Sequence, residues 1–181
     1  MSLKVDLSGA SCGATITGVQ LSQPLGDDLV AEIRVHWLEH KVVAFPYQQL
    51  TPAQLVGFSE QFGEIGEDPF FGHIDEHPQV AAIQRNADET TSIFAEFFHS
   101  DWSFMPVPPA ATALYGITIP PVGGDTLFAD QVAAYKQMPD DLRRRVEDLT
   151  AIHSAALGYA PDGAYGDADQ KQGRSMKILP S

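Results

Sequence analysis

Between residues 9 and 21 glycines are mixed with alternating apolar positions, Ile16 and Val19 among them, and this spacing predicts short strands. From Asp27-Asp28 the apolar period lengthens. Leu29, Ile33 and Trp37 recur at helical spacing and predict a helix with one buried stripe. Val42 to Phe45 is a short apolar run that Pro46 ends, and it reads as a strand. A second helix is marked at both ends. Thr51 and Gln54 have the spacing of a capping box, Pro52 falls at the first helical position, and Gly63 closes the last turn. Leu55, Phe58 and Phe62 make its apolar stripe.

Beyond the second helix the pattern changes. Gly63 to Pro78 is rich in Gly, Pro and acidic residues and predicts a surface loop, with a strand over Val80 to Ile83. From Phe97 onward the chain reads as strands divided by proline clusters. Ala111 to Ile119 is one, and Thr126 to Phe128 begins another after the Gly123-Gly124 turn. Pro139 to Leu149 predicts a helix that turns Leu142, Val146 and Leu149 inward and pairs Arg143 with Glu147 one turn on. Asp148 to Ser154 is expected to rejoin the sheet, and residues 158–177 read as a long Gly-, Asp- and Lys-rich loop. No internal repeat is present. Helices first, then many short strands, indicate an α+β chain built on a β-sandwich or jelly roll.

Composition narrows the function more than the fold. At 181 residues, 44% hydrophobic and 19% charged, the chain has the size and make-up of a single globular domain over residues 1–181. A formal net charge of −13 argues against nucleic acid as a partner, because a phosphate backbone would be repelled. No apolar run approaches a membrane span and no signal peptide is discernible. The single cysteine, Cys12, can form no internal disulfide, and it lacks a basic neighbour that would activate it. A cytoplasmic protein without a membrane partner is expected.

Candidate chemistry lies in the histidines. His36 and His40 are one turn apart on the first helix, which is a metal-pair spacing, but no third ligand is evident beside them and a helix-end role near Lys41 suffices. His73-Ile74-Asp75 with His77 could form a three-ligand strand, yet it lies in the most loop-like stretch of the chain, where a solvated acidic loop is expected. His99-Ser100-Asp101 is the third pattern. On a strand, a His-x-Asp pair directs both side chains to one face. Imidazole and carboxylate together suit Fe(II), and a facial triad built on them leaves three coordination positions for co-substrate and oxygen. By spacing alone such a pair is a weak signal.

Its context is more specific. The run Phe97-Phe98-His99-Ser100-Asp101-Trp102-Ser103-Phe104, then Pro108-Pro109-Ala110, then Gly123-Gly124-Asp125-Thr126, resembles the taurine dioxygenase (TauD/TfdA) family over most of residues 9–160. The resemblance implies an Fe(II)- and 2-oxoglutarate-dependent dioxygenase with a double-stranded β-helix (jelly roll) core and flanking helices. It assigns His99 and Asp101 as metal ligands, and Thr126 as a hydroxyl donor to a carboxylate of 2-oxoglutarate. The expected partners are O2 and a small organic substrate, with succinate and CO2 as co-products. Phe97, Phe98 and Trp102 fit either the core or a substrate wall.

The chain also departs from the family pattern. The distal iron-binding His, and the Arg that clamps 2-oxoglutarate, have no match. His153 falls at a different family position, and Arg174 has no strand context. The expectation is a jelly roll truncated at its C-terminus, part of a longer native protein, whose unclosed sheet favours association into a homo-oligomer. Asp68 and Ala95 stand where the taurine-specific branch has His and Asn, which makes taurine an unfavourable substrate. The alternative to the enzyme is a non-catalytic jelly-roll remnant or interaction protein without a complete metal site.

Overall fold

The structure, a computed structural model, describes residues 3–66, 73–90 and 97–154. Asp68, Ala95, Arg174 and the predicted loop at 158–177 lie outside the described residues. The first half is organised around a three-stranded sheet of β1 (Lys4–Leu7), β2 (Ala14–Thr17) and β3 (Val43–Ala44). Central β2 pairs antiparallel with β1, Val5 opposite Ile16, and parallel with β3, Ala14 opposite Val43. A parallel pair needs a long crossover, and α1 (Asp27–His40) supplies it. Alternation along β2 buries Ala14 and Ile16 and leaves Thr15 and Thr17 half-buried. The expected strands at 9–21 thus reduce to β2, and β1 lies ahead of them.

Ile16, Val19, Leu21 and Ile33 form the core, with Leu25, Leu29, Val43, Phe45, Leu50, Phe58 and Phe62 packed against it. The two predicted helical stripes therefore meet on the sheet. Phe58 stands edge-on to Phe45 and Phe62, and Trp37 edge-on to Phe62. Arg34 lies over the Trp37 and Phe62 rings and donates to the Phe62 carbonyl at 2.7 Å. In α2 (Pro52–Glu60) the capping box forms as expected. Gln54 N–H donates to Thr51 Oγ1 at 3.3 Å, and Thr51 N–H to Gln54 Oε1 at 2.8 Å.

Side-chain amides hold the connection between β2 and α1. Gln48 accepts from Leu21 N–H at 3.0 Å and donates to the Val19 carbonyl at 3.1 Å. Gln61 does the same at Leu25, accepting at 3.3 Å and donating at 3.1 Å. Each primary amide offers a donor and an acceptor, so it satisfies backbone groups as a neighbouring strand would.

The second half departs from expectation. Part of the predicted Gly63–Pro78 loop is a hairpin of β4 (His73–Ile74) and β5 (His77–Ala81), with the turn at Asp75-Glu76. The segments 111–119 and 126–128 form no strand among the described residues, and 148–154 does not rejoin the sheet. A strand exists through its partner, and none is paired to them there. Two short helices follow, α3 (Gln131–Gln137) and α4 (Asp140–Val146). Asp130 caps α3, accepting from Val132 and Ala133 N–H at 3.0 Å each. On α4, Arg143 pairs with Asp140 in the first turn and not with Glu147. Leu142 and Leu149 are exposed, so the expected inward face of that helix has no counterpart among the described residues.

Candidate functional site

Residues 97–105 carry the His-x-Asp pair, and they form a bend and turn in place of the expected strand. The turn is closed by Met105 N–H donating to the Trp102 carbonyl at 2.8 Å, with Trp102 at φ 46°. The Trp102 ring lies against Gly66, where a Cβ would come within 3.1 Å of it. That close approach anchors the turn on the chain leaving α2. Phe97 and Phe98 are exposed, so neither is core.

His99 and Asp101 converge. His99 Nδ1 is 2.8 Å from the Phe97 carbonyl oxygen, and His99 Nε2 is 3.1 Å from Asp101 Oδ1. A carbonyl oxygen can only accept, so Nδ1 carries a proton; Nε2 donates to Asp101 Oδ1 when the ring is also protonated there, and offers its lone pair to a cation when it is not. That lone pair faces a carboxylate oxygen. Two acceptors at this separation repel unless a cation or a proton lies between them. Metal–nitrogen and metal–oxygen bonds of about 2.1 Å at right angles would put two cis ligands about 3.0 Å apart. The observed 3.1 Å therefore matches one edge of an octahedral site. At 47% and 44% exposure the two side chains remain open to an incoming ion and its other ligands.

Asp101 is oriented from its other side. Thr112 Oγ1 donates to Asp101 Oδ2 at 2.5 Å, within the range of a hydroxyl–carboxylate bond, and this leaves Oδ1 directed at His99. Sequence reasoning missed Thr112. Its only signal is its position shortly after Pro108-Pro109, which says nothing about a contact to Asp101 eleven residues back.

The remaining candidates are placed differently. Thr126 is exposed, two residues after a turn in which Gly123 and Gly124 have φ of 79° and 74°. Among the described residues it makes no hydrogen bond to His99 or Asp101. His153 reaches the same turn, its Nδ1 2.8 Å from Ser103 Oγ. Its donor atoms do not gather with those of His99 and Asp101. His73 and His77 are divided between β4 and β5, opposite Ala81 and Ile74, and with Asp75 they form no three-donor cluster among the described residues. Two surface clefts, of about 440 and 300 Å³, lie elsewhere, beside Glu60 and Gln79 and beside Val30 and Arg34. Neither includes a site residue.

Comparison with known proteins gives the family. The chain is 33% identical over 166 residues to the (S)-phenoxypropionate/alpha-ketoglutarate-dioxygenase of Sphingobium herbicidovorans, covering 86% of this chain and 58% of that protein. It is 36% identical over 158 residues to the alkylsulfatase of Acinetobacter baylyi, covering 81% and 45% respectively. A crystal structure of a taurine dioxygenase from Burkholderia xenovorans superimposes with a TM-score of 0.68 at 38% identity, over 82% of this chain and 52% of that one. The chain thus spans about half the length of the proteins it matches. The family described as taurine catabolism dioxygenase TauD, TfdA matches residues 5–177. With nearly the whole chain matched, this protein belongs to the TauD, TfdA family of dioxygenases.

Proposed function

We propose that His99 and Asp101 are two of the three protein ligands of an Fe(II) ion in a dioxygenase that couples oxidation of a small organic substrate to conversion of 2-oxoglutarate into succinate and CO2. The observation that carries this reading is the 3.1 Å approach of His99 Nε2 to Asp101 Oδ1 while the Nδ1 proton is held by the Phe97 carbonyl. The iron, when bound, supplies the centre at which O2 is reduced. His99 offers a neutral donor and Asp101 an anionic one, and Thr112 keeps the Asp101 carboxylate from turning its other oxygen inward. Thr126 donates its hydroxyl to a carboxylate of 2-oxoglutarate. The atoms balance with one O2. One oxygen completes the carboxylate left on succinate as CO2 departs, and the other is inserted into a substrate C–H bond as a hydroxyl.

The fold proposed with this function is a double-stranded β-helix, with residues 1–181 as part of a single dioxygenase domain. By the family resemblance, a further His completes the metal site and an Arg pairs with the co-substrate. The substrate class is a small organic anion, by analogy with the phenoxypropionate and alkylsulfate relatives. Taurine is a poor member of that class here, because Asp68 and Ala95 stand where the taurine-specific branch has its His and Asn. The test is turnover of the full-length protein under 18O2 with Fe(II), 2-oxoglutarate and a panel of carboxylates, sulfate esters and sulfonates. One labelled oxygen should enter succinate and one the oxidised substrate, with taurine among the slowest. Succinate formed without label would contradict the reading.

A further inference from the structure

The last turn of α1 carries a second set of ligand-type side chains, separate from the site above. His36, Glu39 and His40 each offer one donor atom, and these atoms all lie within 4.8 Å of one another. Their i, i+3, i+4 spacing puts them on one face of the helix. The two imidazole rings are nearly parallel, at 10°, with centroids 6.0 Å apart, and His40 Nε2 stands 4.0 Å from Glu39 Oε2. His36 Nδ1 is buried and has no hydrogen-bond partner among the described residues, so no contact there fixes its tautomer.

The surroundings favour a cation. Carbonyls at a helix C-terminus carry partial negative charge and attract positive ions within the last turn. The neighbouring ammonium of Lys41 donates to the Glu39 backbone carbonyl at 3.2 Å and pairs with Asp130 at 3.6 Å, and among the described residues it forms no ion pair with the Glu39 carboxylate. Donors around a tetrahedral ion with bonds of about 2.05 Å are about 3.3 Å apart, so side-chain movements that shorten the present separations by up to about 1.5 Å would close the site.

We propose that His36, Glu39 and His40 form a second divalent-metal site, of the Zn(II) class, in which the ion pins the end of α1 where the chain turns into β3. Two imidazoles and one carboxylate suit that ion, with water in the fourth position. An ion bound only by the folded state raises stability by mass action.

The experiment is equilibrium dialysis of Zn(II) against the full-length, chelator-stripped protein, with thermal melts. Wild type should bind two ions per chain, and the His99→Ala, Asp101→Ala double variant should retain one. His36→Gln with His40→Gln should lose the second ion and its associated rise in Tm, while iron-dependent 2-oxoglutarate turnover stays within about twofold. Glu39→Gln, at an exposed position, should weaken this second ion at least about tenfold without changing the Tm of the metal-free protein. It serves as the reference if the double-histidine variant fails to fold. Zinc binding by Glu39→Gln with wild-type stoichiometry and affinity would overturn the proposal. So would retention of one ion by a folded His36→Gln, His40→Gln variant in which His99 and Asp101 are also replaced.

Discussion

A histidine whose Nδ1 proton is held by a backbone carbonyl has a single lone pair left, and its direction decides what the residue can do. In His99 that lone pair faces Asp101 Oδ1, and Thr112 holds the other carboxylate oxygen. The proposed role of Thr112 is to hold that geometry. Thr112→Val keeps the shape and removes the donor, so Fe(II) affinity should fall about tenfold to a hundredfold, with Thr112→Ser restoring most of it. Metal dissociation followed with a competing chelator measures this, and a Thr112→Val protein that binds iron as wild type would remove Thr112 from the site. The proposed ligands His99 and Asp101 were singled out in the sequence because both lie in one short aromatic-flanked motif. Their supports were not. The Phe97 carbonyl has no sequence signature, and Thr112 is brought in by chain path alone.

At the scale of elements, α1 and α2 were legible in period and caps, because their apolar stripes and the Thr51–Gln54 box are local. The amide clamps of Gln48 and Gln61 were not, since they join residues 27 to 36 positions apart. Nor was α3, whose cap Asp130 looks like any loop aspartate. Asp130 also ties α3 to the end of α1 through Lys41, and its side chain is only 6% exposed. Its carboxyl is held below the usual carboxylate range, chiefly by the Ala133 N–H, with Lys41 and the Val132 N–H assisting and burial opposing. A lowered folded-state value means that this stabilisation is complete above the unfolded value of about 3.9, and is lost as pH falls through the lowered one. Acid unfolding followed by circular dichroism from about pH 5 downward should therefore be shallower in Asp130→Asn. Superimposable acid transitions would show that the charge on Asp130, and with it the Lys41 pair, contributes nothing.

Across the whole molecule the packing is uneven. Among the described residues the buried core lies between the sheet, α1 and α2, whereas Val107, Leu114, Ile117, Ile119, Val122 and Leu127 are all exposed. Ile152 is 94% exposed. An apolar surface of this kind is one that a folded protein covers, and the strand pattern read at 111–119 has no partner strand among the described residues. Periodicity reads residue type and cannot supply a neighbour. Within the family assignment, the central claim is that His99 and Asp101, and no other histidine pair, hold the iron. Succinate formation by the full-length protein with Fe(II) and 2-oxoglutarate tests it most directly. His99→Ala and Asp101→Ala should each reduce the rate at least about a hundredfold, while simultaneous replacement of His73, Asp75 and His77 by Ala leaves it near wild type. Wild-type turnover in either single variant, or its loss in a folded triple variant, would contradict the account.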